Sequence, residues 1–531
     1  MDKLAVRSVL EHIAAFLELK GETTARVRFY QDAARRELDA TGRSSTLDEL
    51  REQIPPGLVE MLRISGLGVA KVRQIHERLH IESLADLEDA ATDGRLAALP
   101  RFGRKTAENV RKGIAALRQA SALRLLHHAL DEAQGIGQAL AALEGVRRVE
   151  IAGSVRRRLE LIRDLDFVVI HKGNGMREAL IERLDDAPGV IELGGTEGAI
   201  TLRFVSGAVA QVFLATESDA GLALVRATGS AEHLRQLEAR LSGVRGPWRN
   251  EESVYRAAGL PWIPPELREG MGEIEAAAAG RLPRLLEQRD LKGLLHCHTN
   301  YSDGTTTVAE WADACRADGY EWIGITDHSQ SSAYAGGLRT EDVTRQHAEI
   351  DAVNRHHSGF RVLKGVEADI LADGSLDYGP AVLDQFDFVI ASIHTRFGMT
   401  EAEMTERVLR ALDDPHTTIL GHPTGRLLLA RDPYAIDLER VLQRAAERGV
   451  AVEVNADPHR LDLDWRMVRR ARELGVTVSL GADAHSVAGM TNVAMGVGIA
   501  RKGWLEAEEV LNTRDAEAFL AHARRRRPAF A

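Results

Sequence analysis

The stretch "LKGLLHCHTNYSDG", residues 291–304, is an apolar strand that stops on two histidines, and of six later strand-like segments almost every one stops on His, Asp or Glu. They are "WIGITDHS", "RVLKGVEADI", "DFVIASIHT", "TILGHPTG", "AVEVNADP" and "TVSLGADAH", with helical stretches between them. Seven strands alternating with helices from residue 290 onward predict a closed or nearly closed α/β barrel. In such barrels the C-terminal strand ends face one spot, so the His, Asp and Glu residues that finish these strands should meet there.

The first strand supplies His296 and His298, whose i, i+2 spacing puts both imidazoles on one face, with Asp303 just beyond. Cys297 between them points the other way and is left out. Later strand ends add His328, Glu367, His394, His422, Asp483 and His485. Any one of these histidines alone reads as a hydrogen-bonded strand-end residue. Nine imidazoles and carboxylates buried at one end of a barrel are too costly to hold without a cation. Nitrogen and oxygen donors without a thiolate suit Zn²⁺, Mn²⁺ or Fe²⁺ better than Ca²⁺ or Mg²⁺. Nine ligands are too many for one ion and about right for two or three.

At 531 residues the chain needs several cores, so several domains are expected. Its 44% hydrophobic and 28% charged residues are those of an ordinary water-soluble protein, and no apolar run reaches the ~20 residues that span a bilayer. Residues 1–27 read as an amphipathic helix, not a signal peptide, because Glu11 and His12 interrupt any apolar centre. Two cysteines supply no disulfide framework, which points to a reducing cytoplasm. The net charge of −11 excludes indiscriminate coating of nucleic acid but leaves local basic patches open. The Arg524–Arg527 tail reads as a solvated end.

Residues 1–120 read as helices interrupted by two glycine turns, "ISGLGVAKV" and "LPRFGRKTAENV". Gly66 and Gly68 in one turn, and Gly103 with Lys105 in the other, would leave helix-start N–H groups facing outward, a phosphate-binding geometry. The alternative is a pair of ordinary glycine-capped turns between helices. Residues 121–250 carry four strand-like runs, "RRVEIAGSV", "LDFVVIHKG", "AITLRFVSG" and "VAQVFLATE", joined by helical pieces such as 175–187. A Pro-rich connector, 259–286, marks the expected boundary before the barrel.

The segments "HCHTNYSDG", "ITDHS", "GVEADI", "DGSLDY", "SIHT", "GHPTGR", "VEVNADPHRLDL" and "GADAHS" together resemble the polymerase-and-histidinol-phosphatase (PHP) domain. They are most similar to the version fused to bacterial family X DNA polymerases. The resemblance covers residues 290–515 and implies a distorted seven-stranded barrel, a trinuclear metal site and phosphoester hydrolysis without a separate general base. It assigns His296, His298, Glu367 and Asp483 to one ion, Glu367, His394 and His422 to a second, and Asp303, His328 and His485 to a third. Leu294 stands where the family usually has Asp. Arg426 and Arg460, on strand-end loops, are candidate phosphate anchors, the alternative being plain solvated arginines.

Residues 1–280 resemble the polymerase part of the same family through "ARVRFYQDAAR", "PPGLVEMLRISGLG", "AGSVRR", "RDLDF", "ATGSAEH" and "IPPELREGMGEI". The implied fold is a helix-hairpin-helix region followed by a nucleotidyltransferase-like palm and thumb. Three aspartates on neighbouring strands would hold Mg²⁺ or Mn²⁺. Gly153, Ser154 and Arg157, with Thr228, Gly229 and Ser230, would bind the nucleotide. Asp164 and Asp166 match the first two acids, but the third position, counted back from Thr228, is Gln211. Losing one such charge typically costs ~10²–10³-fold, roughly 3–4 kcal/mol of barrier. Arg163, Leu234 and Ala227 also depart from the family pattern. The first helix-hairpin-helix is missing between "QDAARRELDATG", 31–42, and "LDELREQIPPG", 47–57, and Arg101 replaces a turn glycine.

The domains expected are therefore 1–120, 121–280 and 290–531. The favoured function is a DNA-repair 3′-to-5′ exonuclease or 3′-end phosphoesterase with polymerase activity weak or lost. Its partners would be DNA 3′ ends, gapped or single-stranded, and dNTP if synthesis survives; the chain is expected to be a cytoplasmic monomer away from membranes. One alternative is an active template-directed polymerase with a PHP nuclease, and another is a small-molecule phosphatase of the histidinol-phosphatase type.

Overall fold

The computed structural model describes residues 64, 66–100, 102–121 and 123–527 except 173, 174, 186, 188 and 197, with scattered positions between 14 and 62. The amphipathic start, the shortened hairpin region at 31–57 and Arg101 lie outside the described residues, isolated positions apart. Two compact units divide the chain, Met1–Ala122 and Leu123–Ala531.

In the first unit the helices Val69–Leu79, Leu84–Thr92 and Arg104–Ser121 pack around Met61, Ile64, Leu67, Val72, Ile75, Leu87, Val110 and Ile114. Apolar residues at helical spacing supply that face. Ser83 caps the second helix by accepting from the Asp86 N–H at 3.1 Å.

The second unit begins with a mixed five-stranded sheet. Its strands are β2 (Val146–Ile151), β4 (Leu165–His171), β5 (Val190–Thr196), β6 (Ala199–Phe204) and β7 (Val209–Thr216), and their order is β2-β4-β7-β6-β5. The two-residue strands β1 (Arg124–Leu125) and β3 (Leu161–Ile162) pair beside it. The sequence reading lacks β5: "VIELGGT" is an edge strand with two glycines and almost no buried side chain, so it shows no apolar alternation. Helices Ala220–Thr228, Ala231–Arg240 and Glu251–Ala257 follow and enclose a small core around Val225, Leu237, Val254 and Tyr255.

The third part is a closed barrel of seven parallel strands. These are β8 (Gly293–Cys297), β9 (Trp322–Ile325), β10 (Arg361–Asp369), β11 (Phe388–Ser392), β12 (Thr417–Leu420), β13 (Ala451–Asn455) and β14 (Val478–Ala484), and β14 closes on β8. Every strand has a helix outside it, which accounts for strands that are buried nearly throughout. Phe388 fills the interior: a Cβ on Gly324 or Gly365 would lie 2.5 or 2.4 Å from its ring, so both positions require glycine. With it Leu295, Trp322, Leu363, Ile419 and Phe519 form one buried cluster that fills the barrel.

The 259–286 connector packs on the barrel: Leu285 bridges Glu506, and the fully buried Lys502 binds Glu269. The Arg524–Arg527 tail, expected as a solvated end, is so only in part: Arg524 and Arg525 are exposed, whereas the last two are held. Arg526 donates to the Thr417 and Leu412 carbonyls and Arg527 to Phe386, which ties the chain end to the bottom of the barrel. Among the described residues no helix is long and apolar enough to cross a membrane.

Candidate metal centre

At the upper end of the barrel the nine residues named from the strand ends form one cage. Glu367, on β10, is its hub. Glu367 Oε1 lies 2.9 Å from His422 Nε2, 3.2 Å from His394 Nε2 and 3.3 Å from His296 Nε2. Its Oε2 lies 2.8 Å from His328 Nδ1 and 3.9 Å from His298 Nε2. Asp483 Oδ1 is 3.4 Å from His298 Nε2 and 3.8 Å from His296 Nε2. Asp303 Oδ1 is 3.3 Å from His485, 3.7 Å from His328 and 3.9 Å from His298.

Four sets of donor atoms cluster within 4.8 Å: His298, Asp303, His328 and His485; His296, His422 and Asp483; His296, His298 and Glu367; and His328, Glu367 and His394. His298 thus stands between the Asp303 set and the Glu367 set, and His422 between Glu367 and Asp483. The expected three-way partition gave each of them to a single ion.

The backbone is bent to achieve this. His296, His422 and Asp483 hold φ of +60°, +21° and +46°, left-handed values that side-chain-bearing residues rarely adopt. Register shifts at 294–297 of β8 and 481–484 of β14 place the bends. Such strain persists only where surrounding structure enforces it, and it collects at functional sites.

The donor set fits divalent cations. His296 Nε2, both ring nitrogens of His298 and His422 Nδ1 are buried with no hydrogen-bond partner. Orphaned groups of this kind carry a heavy desolvation cost unless something else ligates them. Charge is arranged to match. Burial opposes ionisation of Glu367, yet His394, His328 and His296 hold its carboxyl well below the usual range. Burial likewise opposes ionisation of Asp483, and His296, His298 and Arg460 outweigh it. Burial with the neighbouring His485 and His328 pushes His298 down to about 3, which leaves its ring neutral and its lone pair free.

Sequence reasoning missed the groups that aim the ligands. Glu453, inside β13, accepts from His296 Nδ1 at 2.5 Å and from the His422 N–H at 2.7 Å. A Cβ on Gly481 would lie 1.8 Å from Glu453 Oε1, so glycine is what admits that carboxylate. Asp369 accepts from His394 Nδ1 at 2.8 Å and from Ser332 Oγ at 2.6 Å. Asn455 donates to Asp483 Oδ2 at 2.9 Å. A charged residue in an otherwise apolar, fully buried strand was the available signal for Glu453.

The two arginines separate. Arg460 Nε lies 3.4 Å from Asp483 Oδ2, beside the cage. Arg426 does not serve as a phosphate anchor: it donates to the Arg460 carbonyl at 2.9 Å and to that of Leu461, and it pairs with Glu160 of the palm at 3.4 Å. Its partner lies 266 residues away, beyond what local sequence reveals.

In the palm, Asp164, Asp166 and Gln211 come together. Gln211 faces Asp166 in the β4–β7 register, and its Nε2 donates to Asp164 Oδ2 at 3.1 Å. Burial, then the neighbouring Asp164, raises Asp166 to about 7. Gly153 holds φ of +62°, and a Cβ there would lie 1.8 Å from Asp166 Oδ2. Ser154 Oγ is buried without a partner. The other expected nucleotide contacts serve the fold instead. Arg157 donates to Glu269 at 2.9 Å and to the Thr228 carbonyl at 2.6 Å. Thr228 is fully buried and accepts from Arg156 at 3.0 Å. Gly229 packs on Leu234, and Ser230 caps the next helix through the His233 N–H.

In the first unit Gly66 holds φ of +85°, Gly68 precedes the helix Val69–Leu79 without a side-chain cap, and both are exposed. Gly103 precedes the helix Arg104–Ser121, and Lys105 on it is exposed. Lys71 donates to the Gly66 carbonyl at 2.8 Å, and Gln74 donates to that of Pro100 at 3.2 Å, so the two turns lie side by side.

Comparison with known proteins matches residues 295–457 to the PHP domain and residues 58–116 to the SAM-like helix-hairpin-helix tandem. The chain is 34% identical, over 98% of its length and 99% of the relative's, to the DNA polymerase/3'-5' exonuclease PolX of Bacillus subtilis. Shorter matches, each over 30% of this chain, join it to probable phosphatases. That of Acetivibrio thermocellus is 34% identical over 63% of its length, and that of Syntrophotalea carbinolica 28% over 64%.

Proposed function

Because the chain belongs to the bacterial family X DNA polymerases that carry a PHP domain, we propose that it repairs DNA chiefly as a metal-dependent 3′-to-5′ exonuclease or 3′-end phosphoesterase, with polymerase activity weak or lost. Residues 1–120 act as the helix-hairpin-helix DNA-binding region, 121–280 as a nucleotidyltransferase-like palm and thumb, and 290–531 as the hydrolase. The chain works as a cytoplasmic monomer.

One observation carries this reading: nine ligand-type side chains, Glu367 at their centre, meet at the strand ends, with several of their donor atoms buried and unpartnered. Zinc, manganese or iron bound there supplies Lewis acidity and a water of lowered pKa. Glu367 spreads its two oxygens across the cage. Glu453 and Asp369 accept from the Nδ1–H of His296 and His394, which leaves each Nε2 lone pair facing inward. Arg460, held beside Asp483, offers its guanidinium to the non-bridging oxygens of the phosphodiester. Asp164 and Asp166 remain as the acids that would hold Mg²⁺ or Mn²⁺ for residual synthesis from dNTP.

The test is incubation of 5′-labelled single-stranded DNA with Mn²⁺. A ladder shortening from the 3′ end is expected, and it should vanish in His296→Ala and Glu367→Ala. Degradation unchanged in both variants would defeat the assignment.

A further inference from the structure

Tyr334 stands at the mouth of the cage with 65% of its surface exposed. Its ring centroid is 6.3 Å from that of His328 and 6.5 Å from that of His394. It belongs to the loop between β9 and the helix Thr340–His356, and that loop is fixed from both ends. Ser332 Oγ donates to Asp369 Oδ2 at 2.6 Å, and the same carboxylate orients His394. The chain then folds back so that Ser329 bridges Leu338. A Cβ on Gly337 would lie 1.9 Å from the Ser329 carbonyl oxygen, so this return requires glycine. Scattered exposed aromatics are ordinary on protein surfaces. This one is held on an ordered turn against two cage histidines.

Arg396 follows His394 by two residues, on the loop that leaves β11. It is exposed, holds φ of +58°, and makes no hydrogen bond or ion pair among the described residues. Strained backbone at a non-glycine residue beside a cage ligand is a feature that surrounding structure must maintain. Arg426 is committed to Glu160 and to two backbone carbonyls and Arg460 stands at Asp483 inside the cage, whereas Arg396 offers its donors on the outer side.

We propose that Tyr334 and Arg396 form a terminal-nucleoside subsite: the base of the 3′-terminal nucleotide stacks on Tyr334 and Arg396 holds a backbone phosphate, which seats the scissile bond over the cage. The inference rests on the DNA reading given above and deepens it. Aromatic stacking serves any base, because every base offers a π-face, so the subsite takes single-stranded DNA ends without sequence preference. Planar guanidinium is the side chain suited to phosphate oxygens. A phosphomonoester without a base would gain nothing from Tyr334.

The experiment uses the full chain and oligonucleotides with 2-aminopurine at the 3′ terminus, in the presence of a chelator so that no cleavage occurs. Binding is followed by anisotropy and stacking by 2-aminopurine quenching. Quenching is expected in the wild type and in Tyr334→Trp, and its loss is expected in Tyr334→Ala, while 2-aminopurine placed far from the end behaves alike in all three. With Mn²⁺, the wild type should remove a terminal nucleotide with a base roughly 10-fold or more faster than a terminal abasic analogue. Tyr334→Ala should remove the two at equal rates, and Arg396→Gln should raise KM for both. Quenching or base preference retained in Tyr334→Ala, or bound wild type that shows no quenching, overturns the subsite. Wild type that neither binds nor degrades the oligonucleotide overturns the DNA reading itself.

Discussion

The side-chain amide of Gln211 donates a hydrogen bond to Asp164 Oδ2 at 3.1 Å, on the strand position paired with Asp166, where the proposed reading expects a third carboxylate. Primer extension with Mg²⁺ or Mn²⁺ should therefore run ~10²–10³-fold below a site with three acids. Gln211→Asp should raise whatever synthesis remains. Template-directed addition at ordinary rates by the wild type would contradict this.

Glu453 holds His296 Nδ1 at 2.5 Å and the His422 backbone N–H at 2.7 Å. Glu453→Gln keeps the shape but cannot accept both bonds as a carboxylate does. Metal affinity, measured by competition with a chromogenic chelator, should fall about 10–100-fold. Unchanged affinity would show that the carboxylate does not orient the ligands.

Glu251 accepts from Arg156 at 2.7 and 2.8 Å and from Arg268 at 2.6 and 3.1 Å. Burial pushes its carboxyl up, but the two guanidiniums prevail and bring it from 4.5 down to about 2. A carboxyl depressed in the folded state adds stability above its unfolded value, and that contribution is lost as pH falls through the folded one. Roughly 3 kcal/mol is at stake. In denaturant titrations Glu251→Gln should be less stable than wild type at pH 7, and the gap should narrow between about pH 4.5 and 2. A gap that does not change with pH would contradict the linkage.

The barrel is legible in the sequence because its signals are local: each apolar run ends on a ligand-type residue, and alternating helices dictate parallel strands. The same locality makes Asp166 and Gln211 readable, since strand register can be counted. What depends on distant partners is not readable in this way. Arg426 looks like a phosphate anchor on a strand-end loop until Glu160 is folded against it. Arg526 looks solvated until the Leu412 and Thr417 carbonyls lie beneath it. Glu453 hides within an apolar strand, and its meaning comes only from the two histidines that reach it. Strand β5 escapes because an exposed edge with two glycines needs no apolar pattern.

Metal content of the purified chain, measured beside that of Glu367→Ala, tests the central claim most directly. More than one transition-metal ion per wild-type chain is expected, with a clear loss in the variant, because Glu367 touches every part of the cage except Asp303, Asp483 and His485. Wild-type protein that binds no divalent cation even after incubation with Zn²⁺ or Mn²⁺ would contradict the account.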